Sequence, residues 1–127
     1  MKIFLIQPVR LLKEEHVKKI IDEYIKTWED EGHEVYAPAR DTDQNDPIGL
    51  RICRDNAKEI KEADEVRIVW DCHSYGSHFD LGVAFALEKP IVVVDILYPY
   101  SLSGKSFEAM MFEWEHTTSR TQTLRNA

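Results

Sequence analysis

Short apolar runs and amphipathic stretches alternate along this chain. Lys2–Ile6 is a run of β-branched, aromatic and aliphatic residues, the pattern of a buried strand. Gln7-Pro8-Val9-Arg10 ends it. Over residues 13–31 the apolar positions are Val17, Ile20, Ile21, Tyr24, Ile25 and Trp28, and steps of three and four put one stripe on a helix. Gly32 supplies its stop. Residues 34–37 read as a second strand and 38–47 as a polar loop. Residues 49–63 read as a second helix, with Ile52, Cys53, Ala57 and Ile60 turned inward and Asn56 sharing that face. Glu65–Trp70 is a third strand, followed by a polar turn and a short helix over 81–88. Lys89-Pro90 closes that helix before a fourth strand at 91–95, whose Ile-Val-Val-Val run is that of a strand covered on both faces. A loop over 98–106 leads to a last helix at 107–115 with Met110, Met111 and Trp114 apolar. From His116 onward the chain turns polar, which predicts a frayed tail.

Strand and helix alternate four times, so a parallel sheet with helices on both faces is expected. The fold class is α/β, a flavodoxin/Rossmann-like three-layer sandwich with a parallel sheet of four or five strands. By length, 127 residues make one domain, placed at 1–116, with a polar C-terminal tail at 117–127. The formal net charge of −7 argues against a nucleic-acid polymer or an anionic membrane as the main partner. Cys53 and Cys72 are isolated, with no CxxC spacing and no nearby Cys/His set. They read as reduced thiols, and no metal site is expected. The first ten residues are too short and too broken for a signal peptide, and no apolar run approaches a membrane span. The cytoplasm is the expected location.

In open α/β sheets, ligands bind outside the carboxyl ends of the strands, so the turn after the third strand is the first place to look for chemistry. Asp80 stands at the opening of the predicted third helix. Capping of free backbone amides explains such a carboxylate; the functional reading is a nucleophile or electrostatic stabiliser facing the crevice. Ser74, Gly76 and Ser77 offer hydroxyls and amides to a ligand, although serine and glycine populate turns on their own account. His73 and His78 flank the turn; His78 is a candidate substrate contact, although histidines on a loop are more often solvated than catalytic. A Ser77–His78–Asp80 triad fails on geometry, and the G-x-S-x-G elbow is absent. Asp71 and Asp95 end predicted strands, and Asp71 is the better candidate because it adjoins the turn. Arg10 follows the first strand as a candidate anion-binding fork or a plain surface arginine. Asn56 is polar on an apolar helix face and needs a partner if buried. Trp70, Tyr98 and Tyr100 suit either stacking on a planar base or ordinary packing. Neither a P-loop nor a G-x-G-x-x-G occurs.

Residues 63–94 resemble the nucleoside 2-deoxyribosyltransferase superfamily, which includes the 2'-deoxynucleoside 5'-monophosphate N-glycosidases. The matching features, in order, are Ala63-Asp64, Ser74-Tyr75-Gly76, Asp80-Leu81-Gly82, Ala84, Ala86 and Lys89-Pro90. Pro8 and Arg10 after the first strand match more weakly. The resemblance implies cleavage or transfer at the N-glycosidic bond of a nucleoside or nucleotide, without a cofactor, in a homodimer or higher homo-oligomer. Asp80 falls at the position of the carboxylate that attacks the anomeric carbon. Ser74 falls at the position that contacts phosphate in the monophosphate hydrolases.

Four positions depart from that pattern. The nucleophile is usually Glu, one methylene longer than Asp80. The second carboxylate falls on Asn56, with Asp55 adjacent. A first-strand Tyr that orients the nucleophile falls on Phe4. A partner-subunit serine of the phosphate site falls on Glu108, where a carboxylate repels phosphate. These changes motivate the alternative expectation, a non-catalytic nucleoside- or nucleotide-binding module that uses the same crevice.

Overall fold

The two runs richest in buried apolar residues, Lys2–Ile6 and Glu65–Trp70, are neighbours at the centre of a four-stranded sheet. The computed structural model describes residues 1–126, with side chains as far as residue 118. Its elements are β1 (Lys2–Ile6), a 3-10 turn (Val9–Lys13), α1 (Glu15–Asp30), β2 (Glu34–Tyr36), α2 (Pro38–Asp41), α3 (Leu50–Glu62), β3 (Glu65–Trp70), α4 (Tyr75–Ala86), β4 (Ile91–Ile96) and α5 (Phe107–Asn126). The strands run in the order β2-β1-β3-β4, and every pair is parallel.

Alternation along β1 and β3 divides the core in two. Phe4, Ile6, Val66, Ile68 and Trp70 face Ile60 of α3, Leu81 and Ala84 of α4, and Met111 of α5. Ile3, Leu5, Val35 and Val69 face Val17, Ile21, Ile25 and Trp28 of α1. One helix therefore covers one face and three cover the other, which gives the expected three-layer α/β sandwich. Arg67 of the central strand lies over the Trp28 ring at 4.8 Å and donates to Glu65 at 2.8 Å, so its charge is partnered in the α1 layer.

Local chemistry sets the element ends. Gly32 (φ +93) lets α1 stop in a Schellman arrangement, with the Gly32 amide on Glu29 O at 3.0 Å and the His33 amide on Trp28 O at 3.1 Å. Gly49 (φ +92) turns the chain into α3.

The structure corrects several expectations. The polar loop contains the short α2, started by Pro38 at its first position and closed by Asp41, whose Oδ2 accepts the Ala37 amide at 2.9 Å. β4 is an edge strand, half-buried from Val92 to Ile96, and the register shift beside Ile68/Val69 passes over Val94. An apolar run is thus no proof of full coverage. α4 starts at Tyr75, not at residue 81. α5 continues to Asn126, past the expected end at residue 115, and side chains beyond residue 118 of the expected tail lie outside the described residues.

Ile68 is fully buried in the central strand. Ile68→Ala is expected to lower the free energy of unfolding by about 2–5 kcal/mol, read from urea denaturation midpoints.

Candidate active site

The strand order places a topological switch point between β1 and β3, where the chain leaves one strand for α1 and the other for α4 on the opposite face. The first turn of α4 is tied to both strand ends. Asp71, buried just beyond β3, accepts the Ser74 amide on Oδ1 at 3.1 Å. Cys72 adopts φ +61, a left-handed conformation rare for a residue with a Cβ, as the chain reverses between them. Ser74 is the N-cap, its Oγ accepting the Ser77 amide at 3.2 Å. Ser77, buried, donates its hydroxyl to Gln7 O at the end of β1 at 3.3 Å.

Asp80 therefore lies in the second turn of α4, inside the helix and not at its opening. The capping reading does not hold: the orphan amides belong to the first four residues, and Ser74 takes the cap. With Ser77, Leu81 and Ala84, Asp80 shares the inward face of α4, and it is 6% exposed. Across from it on α3, Asn56 is also buried, its Nδ2 3.5 Å from Asp80 Oδ2. Burial pushes the Asp80 carboxyl up from its ordinary 3.8 to about 7, against a smaller downward pull from the Asn56 amide. The Cys53 thiol on α3 is raised by burial first and by the Asp80 charge second.

The other anticipated residues divide into three groups. Ser74, Ser77 and Asp71 are bonded together at the switch point, and one turn further along α4 Asp80 forms a buried pair with Asn56. Gly76 sits exposed in the first turn of α4, where an added Cβ would meet only Ser74 Oγ at 3.9 Å, so its backbone has open space in front of it. Two others, Asp55 and Phe4, are committed elsewhere. Asp55 is paired with Arg51 at 2.9 Å along the flank of α3. Phe4 is fully buried and stacked on Tyr36, ring centroids 5.7 Å apart. Arg10 is exposed and forms no ion pair among the described residues.

His78 is not a solvated loop residue. It is a helical side chain bonded through Nδ1 to Ser74 O at 2.7 Å and packed between Trp70 and Phe107. His73 is exposed. Trp70 belongs to the core, Tyr98 donates to Glu108, Tyr100 stacks on Phe112, and Asp95 accepts the Tyr24 hydroxyl on the α1 side. Gln7, Tyr36 and Thr42 reach the site without any pattern in the sequence to announce them. Thr42 donates to Asn56 Oδ1 at 2.8 Å, and Tyr36 is bonded to Thr42 at 2.6 Å.

A parallel sheet in the order 2-1-3-4 with helices on both faces is the flavodoxin-like arrangement of α/β folds. Within it, the chain is similar to a 2-deoxyribosyltransferase from Bacillus psychrosaccharolyticus, with a TM-score of 0.63 and 20% identity over 80% of this chain and 78% of that one. It is also similar to the CMP N-glycosidase BcmB of Clostridium botulinum, with a TM-score of 0.60 and 23% identity over 93% of this chain and 82% of that one. At these identities the likeness is one of fold. No protein-family model matches the chain, and no curated protein does.

The raised Asp80 carboxyl has a consequence for stability. The folded chain holds this proton up to about pH 7, whereas the unfolded chain releases it near 4. The folded state binds more protons in that window, so Asp80 costs stability as pH rises through it. Asp80→Asn is expected to be more stable than the parent chain above pH 7, by up to about 4 kcal/mol, with the gain vanishing below pH 4. Urea unfolding across pH 4–8 measures this, and a gain independent of pH contradicts it.

Proposed function

We propose that the chain breaks the N-glycosidic bond of a nucleoside or nucleotide, by hydrolysis or by transfer to a second base, with Asp80 as nucleophile. The observation that carries this reading is a buried, raised carboxyl at the switch point of this fold, at the position the sequence resemblance gives to the attacking carboxylate. Two solved proteins of the same fold are named for activities of this class.

In the proposed reaction the ionised Asp80 attacks the anomeric carbon as the base departs, forming a glycosyl ester. Water or another base then resolves the ester, with net retention. Asn56 donates a hydrogen bond that holds the carboxylate but has no acidic proton, and Asp55 is held by Arg51, so the base departs as an anion and takes its proton from water. Ser74 offers its hydroxyl hydrogen to the ligand, because its oxygen already accepts the Ser77 amide. Glu108 stands where the resemblance places a phosphate-contacting serine of the partner, which favours uncharged nucleosides over 5'-monophosphates.

A second reading, a binding module without turnover, is favoured by Phe4. Its buried ring, stacked on Tyr36, brings no hydroxyl to the carboxylate.

A homodimer belongs to the same proposal. Phe79 and Phe85 of α4, with Phe107 of α5, are large apolar side chains left exposed, and a second copy is their proposed cover. The unpaired thiols Cys53 and Cys72 fit a cytoplasmic location. Among the described residues no helix is long and apolar enough to cross a membrane.

Chromatography of ribo- and deoxynucleosides and their phosphates after incubation with the chain is expected to show free base. Release should rise with pH through about 7 as Asp80 ionises. Asp80→Ala is expected to lower release at least about 1,000-fold, the scale of losing a covalent nucleophile. Ligand-dependent thermal stabilisation without any base release selects the binding module instead. Sedimentation is expected to show a dimer, and monomer alone at every concentration contradicts that part.

A further inference from the structure

We propose that Tyr36 and Thr42 are positioning residues for Asp80, acting through Asn56 along a chain of hydrogen bonds with a single polarity. The catalytic meaning of this proposal rests on the N-glycosidic reading above; the bonds themselves do not.

The polarity follows from counting protons. Asn56 Oδ1 can only accept, so the one Thr42 hydroxyl hydrogen goes to it, at 2.8 Å. Thr42 then has only lone pairs left for Tyr36, whose phenol must donate across 2.6 Å. With Oδ1 occupied, the Asn56 amide hydrogens face Asp80 Oδ2 at 3.5 Å. Thr42, Asn56 and Asp80 are all buried, so water offers none of them an easy substitute partner. Turning the Asn56 amide over would set two donors against each other at Thr42 and two acceptors against each other at an ionised Asp80.

An ionised Asp80 can only accept, and that fixes the polarity of the chain from its near end. The Tyr36 phenol stays protonated, its pKa raised chiefly by burial and further by Glu59, Asp41 and Asp55, against an opposing effect of the Thr42 bond. Its ring is fixed by stacking on Phe4, its register partner on β1. The hydroxyl absent from Phe4 is thus supplied one strand over and delivered through two side chains. The short α2 has its use here too. The Thr42 amide bonds Pro38 O at 3.0 Å, which seats the Thr42 side chain between Tyr36 and α3. Of the titratable groups packed around Asp80, Cys53 is the one whose thiol registers its charge.

The test is a pH titration of the Asp80 side-chain carboxyl by 13C NMR on the full, ligand-free chain, with Asp80→Asn assigning the resonance. Thr42→Val keeps the shape and removes the hydroxyl. It is expected to raise the midpoint by about 0.5–1 on the pH scale, since the carboxylate loses an oriented donor. Thr42→Ser restores the parent midpoint, and Tyr36→Phe gives a smaller rise. In an Asn56→Ala background, Thr42→Val has no further effect. An unchanged midpoint in folded Thr42→Val, or an equal rise with Asn56 already removed, overturns the proposal. Should Thr42→Val not fold, an unchanged midpoint in Tyr36→Phe does the same.

Base release is read separately on the same variants, where lowered kcat at constant KM is expected. A shifted midpoint in a chain that releases no base leaves the relay standing and removes the enzymatic reading. Base release with unshifted midpoints removes the relay alone.

Discussion

A carboxyl group taken out of water between two helices is the constraint around which this molecule is arranged. Asp80 is fixed to the inward face of α4, and α3 packs against that face, so the group cannot be hydrated as a surface aspartate is. Burial alone drives it toward the neutral form, and only Asn56 works in the other direction. Asn56 is itself a buried polar group and needs its carbonyl satisfied, which draws in Thr42 and then Tyr36. The ties of α4 to Gln7 and Asp71 fix where the helix begins and hence where Asp80 points. The Asn56, Thr42 and Tyr36 contacts thus form one chain that ends on this buried carboxyl.

Much of this was legible in the sequence. The β1 and β3 runs and the α1 stripe came from periodicity, because strands and helices sort side chains at fixed steps. Asn56 was legible because steps of four place it between Ile52 and Ile60. The start of α4 was hidden. Ser74-Tyr75-Gly76-Ser77 has the composition of a turn and poor helix propensity, yet Ser74 capping the Ser77 amide is enough to begin the helix there. That error displaced Asp80 from the helix interior to its opening and made a cap of a buried group. Thr42 was not legible at all, since it lies in an aperiodic polar segment and its partner is fourteen residues further on. The coverage of β4 misled for another reason: an apolar run looks the same on an edge strand half-covered by α1 and α5 as on a central one.

The fold by itself leaves the chemistry open, since one architecture hosts many activities. The proposed chemistry rests on a polar cluster at the switch point whose carboxyl is pushed up to about 7 by burial. Phe4 and Asn56 show that the support of this carboxyl differs from the pattern the sequence resembles. Tyr36 and Thr42 bring hydrogen-bonding groups of another kind to Asn56. In the proposed relay, a hydroxyl reached through two neighbours sets the orientation of Asn56.

The most direct test of the central claim is intact-mass spectrometry of the chain quenched in acid during turnover of a nucleoside that it cleaves. A mass gain equal to the glycosyl group, mapped by proteolysis to Asp80 and absent in Asp80→Asn, is the result expected. Base release with no adduct at any time point, or an adduct that persists in Asp80→Asn, contradicts the assignment of Asp80 as the nucleophile.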